Sequence, residues 1–274
     1  MSETDVEFSD DQQQENYHTH TYRCKHATGD IIDYCEEASR RGMKVLGFSD
    51  HSALPDDRWL AGRMSYAELG EYAASIDQAR CDFPQLKILK SMECEYIPEY
   101  RSWYEDELLG EYNFDYLVGA AHFFTEGDRW HGTYGGTNSP QRLRAFADYT
   151  VNMMETGLFS FIAHPDLFGN CYLNWDRDAL ACSRDIIKAS VELGIGLEIN
   201  ALGFRKQAHK KKDNPFPMYP WLPFWEEAAT HDVKVIVNSD AHRPADLQAR
   251  TGQARRFASE LALAFMDLRD LGRE

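Results

Sequence analysis

The chain has 274 residues, 43% of them hydrophobic, with a formal charge of −16 and a pI near 5.0. That length suits one large α/β domain, and the acidity argues against non-specific nucleic-acid binding, which relies on a basic surface. Six scattered cysteines (Cys24, Cys35, Cys81, Cys94, Cys171, Cys182) form no Cys-x-x-Cys pair, which disfavours a disulfide framework and makes a reducing cytoplasm the expected compartment.

The acidic, polar stretch 1–15 has no signal-peptide core and is expected to be a mobile tail, with one domain over 16–274. No apolar run approaches the ~18 residues of a membrane span. Tyr17 to His26 then opens the fold. His18 and His20 are two apart, so an extended strand points both imidazoles to one face, and His26 can fold back after a polar turn. Asp30 to Gly42 reads as a helix capped by Asp30 and ended by Gly42. Lys44 to Phe48 is a buried strand leading to Ser49-Asp50-His51. After a loop, Ser65 and Glu68 form a capping box for a helix to Arg80.

Lys87 to Glu95 is the third strand and Phe114 to Ala121, ending in His122, the fourth. Glu126 to Ser139 is Gly-rich and long enough to act as a lid. Helices are expected over Gln141 to Thr156, Asp176 to Leu193, Trp221 to His231 and Gln253 to Leu271. Strands are expected over Leu158 to Ala163, before His164; Ile195 to Ile199, before Asn200; and Val233 to Val237, before Asp240-Ala241-His242. The segment 201–219 reads as irregular and basic.

Seven strands alternating with helices argue for a parallel α/β sheet. Strand after strand ends in a residue that can do chemistry, and such ends face one another only around a common axis. The expected fold is therefore a distorted (β/α)7 barrel. His18, His20, His26, His51, His122, His164 and His242, with Glu93 and Asp240, make a set too large for one zinc and suited to two or three divalent ions. Imidazole-rich ligation favours Zn, Mn or Fe over Mg or Ca. Each histidine alone reads as an ordinary structural residue; the joint pattern carries the inference. His209 and His231 read as surface residues, while His131, in the lid, is a candidate for substrate contact.

The ordered set His-x-His, Ser-Asp-His, Met-Glu-Cys-Glu, Ala-His-Phe, Ala-His-Pro and Ser-Asp-Ala-His resembles the polymerase and histidinol phosphatase (PHP) superfamily, from Tyr17 to about Pro244. Three stretches resemble its histidinol-phosphatase branch: His18 to Ala27, Phe48 to Ser52, and Glu198 to Lys206 with the later Tyr219-Pro220. The resemblance implies a distorted PHP-type (β/α)7 barrel, a trinuclear metal centre and phosphomonoester hydrolysis. It makes the nine residues above the ligands and places Arg205, with Lys206, at the substrate. For that branch the substrate is L-histidinol phosphate, in histidine biosynthesis. His26 stands where many members carry Asp, and the basic Lys210-Lys211-Lys212 loop departs from the pattern.

The chemistry expected is attack by a metal-held hydroxide on a small phosphorylated substrate, with no nucleic-acid or membrane partner. Arg205 is expected to fork onto a phosphoryl oxygen, and Asp240, His242 or a metal-bound water to protonate the leaving group, a choice the sequence does not make. Asp50, Glu95, Tyr96, Trp130 and His131 are candidates for recognising the amine and imidazole. Alternatives are a phosphoesterase for nucleotides, an amidohydrolase, disfavoured by the lack of a bridging lysine, and a non-enzymatic metal-binding scaffold.

Overall fold

The computed structural model describes residues 13–206, 219–268 and 270–271. The basic loop with His209 and Lys210 to Lys212 lies outside the described residues, as does 1–12 of the expected tail. Gln13 to Glu15 belong to the fold instead: Gln13 is buried and its amide donates to Val237 O at 2.9 Å.

Strands β1 (Glu15–Asn16), β2 (Val45–Phe48) and β3 (Lys87–Lys90) form one parallel sheet. A second contains β4 (Glu93–Cys94), β5 (Val118–Gly119), β8 (Phe161–Ile162), β9 (Gly196–Asn200), β10 (Lys234–Asn238) and β11 (Ala264–Phe265), in the order β11-β10-β9-β8-β5-β4. A hairpin of β6 (Phe123–Glu126) and β7 (Arg129–Gly132) stands apart. β4 continues the line of β3 after Ser91 and Met92, and bridges His51–Glu93 and Thr19–Ala241 join the two sheets at either side. The parallel strands thus ring one axis as a distorted barrel, although no continuous ladder closes it among the described residues.

Side-chain alternation sorts the strands into two layers. Leu46 and Phe48, Ile88, Leu117, Ile162, Leu197 and Ile199, Val235 and Val237 face outward into the main core, where the helices cover them. Val45, Leu89, Val118, Phe161 and Ile236 face inward and pack with Leu268 as the barrel floor. Above them Gly47 lies against Tyr116, whose hydroxyl donates to Tyr17 O at 2.6 Å.

The helix starts follow their caps. Asp30 and Asp33 form a reciprocal box at Ile31–Arg40, Ser65 and Glu68 another ahead of Leu69–Asp82, and Asp176 caps Arg177–Leu193. Three expectations change. Ala201–Arg205, read as irregular, is a short helix whose start Asn200 caps. The last helix stops at Glu260; Ala262 takes φ +54°, and Ala264–Phe265 pair with Lys234–Val235 as a strand. The chain beyond 260 is apolar enough for either structure, and the exposed edge of β10 decides. The lid stretch holds most of the hairpin and a short turn rather than an open loop. Among the described residues no helix is long and apolar enough to cross a membrane.

Candidate metal centre

The strand ends deliver their side chains to the base of a cavity of about 400 Å³. Thr19 bridges to Ala241, so His18 and His20 on either side of it both turn inward, with Nε2 atoms 3.1 Å apart. His26 returns after the one-turn helix Tyr22–Cys24, and its Nδ1 donates to Cys24 O at 2.6 Å, which leaves Nε2 for a ligand. His164 and Asp240 occupy the left-handed region at φ +32° and +47°. Such strained turns collect at functional sites because they aim a side chain that regular strand would not.

Glu93 lies at the centre. Its carboxylate oxygens are 2.9 Å from His51 Nδ1, 2.9 Å from His164 Nε2, and 3.4 Å from His18, His20 and His122 Nε2 atoms. Asp240 Oδ1 is 3.2 Å from His20 Nε2 and 3.3 Å from His242 Nδ1. Donor atoms converge as His18, His20 and Asp240; His20, His51 and Glu93; Glu93, His122 and His164; and His26, His51 and His242. All nine expected ligand residues are therefore brought together.

The group fits divalent ions on its own chemistry. Among the described residues, buried Glu93 Oε2, Asp240 Oδ1, His20 Nδ1 and His164 Nδ1 make no well-directed hydrogen bond, although imidazole nitrogens lie close to both oxygens, a costly arrangement without something to coordinate them. Burial opposes charge on Glu93, but His122, His18 and His51 hold its pKa well below the usual range. Asp240 is held down likewise by His18, His20 and His242 against burial. Burial pulls down His20, His26 and His51, and His242 to about 4, keeping these imidazoles in the neutral form that binds metals. His18 differs: burial lowers it, yet Glu198, Asp240 and Glu93 together raise it above its ordinary value. Cys24 sits beside His20 and His242, but burial lifts its thiol to about 12, so it stays protonated and packs.

A second set of residues holds the first. Glu198 Oε1 accepts from His18 Nδ1 at 2.8 Å and Asn238 Nδ2 at 2.9 Å; its Oε2 accepts from Asn200 Nδ2 and His164 N. Asn200 also donates to Asp240 Oδ2 at 3.0 Å, leaving Oδ1 for the centre. Glu95 Oε1 accepts from His122 Nδ1 at 3.2 Å. Such partners fix the tautomer and aim of a ligating imidazole. Glu198 was legible as the one carboxylate in Gly196-Leu197-Glu198-Ile199, on the opposite face from the leucine and isoleucine.

The substrate-facing expectations fare differently. Lys206 lines the cavity, its ammonium 5.6 and 5.5 Å from the Tyr134 and Tyr219 ring centres. Arg205 does not line it. Its Nη1 donates to Ser239 O and Ala249 O at 2.7 and 3.1 Å and its Nη2 to Asp240 O at 2.9 Å, because the buried turn leaves those carbonyls in need of donors. His131 lies in β7 near Phe124 and Glu126 rather than on the cavity. Asp50 accepts from the Thr21 amide and hydroxyl; Glu95 is ion-paired to Arg63; Tyr96 packs on Tyr104; Trp130 packs on Trp59 and Tyr149. The cavity wall is instead Trp59, Arg63, Phe123, Tyr134 and Tyr219. Trp59, at φ +61°, lies flat on Phe123 with ring centres 3.9 Å apart. Loop residues of this kind leave no periodic trace in a sequence.

A parallel-stranded barrel with a histidine–carboxylate centre at its strand ends defines a metal-site protein. The chain belongs to the PHP domain family, whose family model matches residues 16–202. It is 27% identical over 247 residues, 86% of this chain and 89% of the relative, to a protein of Deinococcus radiodurans named "Probable histidinol-phosphatase". It is 32% identical over 103 residues, 35% of this chain and 37% of the relative, to the histidinol-phosphatase of Bacillus subtilis. A Lactococcus lactis histidinol phosphate phosphatase, solved with zinc, L-histidinol and phosphate, superposes with a TM-score of 0.68 at 15% identity, covering 93% of this chain and 95% of that one.

Proposed function

We propose that this chain is a metal-dependent phosphomonoesterase acting on L-histidinol phosphate. The observation that carries the hydrolytic reading is the buried Glu93 and Asp240 pair, whose unpartnered oxygens face imidazoles from around the barrel at the base of a ligand-sized cavity. The names of the relatives support the substrate. The nine converging residues fall into overlapping groups that suit two or three ions, with His20, His51 and Glu93 each shared between two groups; Zn, Mn and Fe all suit the donors.

Bound divalent ions would supply Lewis-acid polarisation of the phosphoryl group and activation of water. The chain's own residues do the rest. Glu93 and Asp240 set the negative charge of the centre. Neutral His242, on the exposed side of Asp240, and the Asp240 carboxylate are the groups placed to take up the proton released by the attacking water and relay it to the leaving alkoxide. Lys206, in this reading, meets the substrate's negative charge at the mouth. Arg205 acts through the backbone of the Asp240 turn. The aromatic wall excludes water and offers planar surface to an imidazole. All six cysteines are free thiols, in keeping with a cytoplasmic setting.

The test is a phosphatase panel on protein reconstituted with zinc, manganese or iron, comparing L-histidinol phosphate, p-nitrophenyl phosphate and nucleoside monophosphates. kcat/KM for histidinol phosphate should exceed that for p-nitrophenyl phosphate by about a hundredfold or more, because a site built for polar substrate groups rejects analogues lacking them. Preference for a nucleotide would defeat the named substrate and leave the phosphatase. No hydrolysis by fully loaded protein would defeat both.

A further inference from the structure

Arg63 is the arginine that the cavity holds. Among the described lining residues the cations are Arg63 and Lys206; Lys206 is exposed, whereas Arg63 is 4% exposed. The guanidinium is fixed from one side. Nη1 donates to Glu95 Oε2 and Ser52 Oγ, both at 2.9 Å, and to Ser52 O at 3.2 Å. Nη2 donates to Glu95 Oε1 at 3.1 Å. The Trp59 ring lies over it, 5.1 Å from centre to Cζ. These bonds leave the Nε–H and one Nη2 proton with no acceptor among the described residues.

A guanidinium has five donors in a rigid fork, and those left over from a bidentate carboxylate grip share the fork's other edge. A buried ion pair is also an expensive way to hold a loop. Its desolvation costs several kcal/mol, and apolar packing of the same volume is often as stable. Arg63 opens onto the same cavity as Glu93, His122 and His164. Glu95, which orients His122, orients Arg63 as well, so one carboxylate aligns a ligand and the cavity's buried arginine.

We infer that Arg63, and not Arg205, is the arginine that binds a phosphoryl oxygen of the substrate, through the edge of its guanidinium opposite Glu95. This rests on the phosphomonoesterase reading for the identity of the anion. Glu95 and Ser52 hold the fork before substrate arrives, so little side-chain freedom is lost on binding.

The experiment titrates inorganic phosphate by calorimetry into metal-reconstituted wild type, Arg63→Met and Arg63→Lys, with metal content measured in parallel. Arg63→Met should weaken phosphate binding about tenfold or more, the scale of one lost charge-assisted hydrogen bond. Arg63→Lys should recover part of it, since an ammonium keeps the charge but not the fork. Metal content should match wild type in both. Unchanged phosphate affinity in a folded, metal-loaded variant overturns the assignment. So does loss of metal without a specific loss of phosphate affinity at restored metal, which would make Arg63 a positioning residue acting through Glu95 on His122. If Arg63→Met does not fold, Arg63→Lys decides by the same two readings. Phosphate binding is read without turnover, so a wild type that binds phosphate yet hydrolyses no ester defeats the proposed function and leaves this inference standing.

Discussion

Glu198 Oε1 and His18 Nδ1 meet at 2.8 Å inside the barrel, both side chains closed off from solvent. The contact fixes the proton on Nδ1 and presents the Nε2 lone pair to the centre, the role that carboxylate partners of metal-bound histidines commonly take. Asn238 and Asn200 both donate amide protons to the same carboxylate. A glutamine there would turn an NH2 group toward donors. Glu198→Gln should therefore weaken metal binding by about 10–100-fold, read by chelator competition, with the circular dichroism spectrum unchanged. Wild-type metal affinity in that variant would remove Glu198 from the centre's support.

Gly47 marks a tight point of the barrel interior. A Cβ there would lie 2.0 Å from Tyr116 Oη and 3.0 Å from Tyr17 Cα. Gly47→Ala must push Tyr116 off its bond to Tyr17 O and should cost about 1–3 kcal/mol in urea denaturation. Adding Tyr116→Phe removes the clashing oxygen, so the double variant should recover part of that loss. Strict additivity of the two changes would mean that they do not meet.

Arg205→Lys separates a backbone clamp from a substrate contact. The guanidinium holds the carbonyls of Ser239 and Asp240 at the turn where Asp240 takes φ +47°. Lysine cannot span both, so stability should fall by about 1–3 kcal/mol and kcat should fall as Asp240 loses its aim. KM for the phosphoester should stay near wild type. A raised KM with unchanged stability would return Arg205 to the substrate.

Chelation should lower the melting temperature, and graded return of zinc or manganese should raise it. Ions that bind only the folded chain stabilise it by mass action, about 2.7 kcal/mol at a hundred times the dissociation constant. In Asp240→Asn the increment should shrink, because one of two central carboxylate charges is gone. Equal melting curves with and without metal would show that no ion occupies the centre.

Much of the centre could be read from the sequence because strand periodicity leaves a trace. His18 and His20 share a parity, and each later ligand except His26, which follows a polar turn, comes soon after the end of an apolar run. Asp30 and Ser65 announced their helices because a cap is a local bond. What stayed hidden depends on direction or on distant partners. The sequence placed Arg205 on the right rim but could not say that its fork turns into the Asp240 loop. Arg63 lies in a loop without a regular period and Glu95 at the end of the expected strand Lys87 to Glu95, and only folding sets them together. The strand Ala264–Phe265 was read as helix because a short apolar run fits both patterns until an open neighbouring edge is known.

The join between the first and last barrel strands is narrow. It consists of one bridge, Thr19 to Ala241, flanked by side-chain bonds such as Tyr17 N to Asn238 Oδ1 and Ser239 N to Asn16 Oδ1. His18, His20, Asp240 and His242 straddle that join, so ions held among them would act as a clasp between the chain's two extremities. Catalysis and mechanical closure would then share the same atoms. A protein stripped of its ions would first gape along this line, and the His20 amide, bonded to Ala241 O at 2.9 Å, would exchange its proton with water ahead of the amides in β9 and β10.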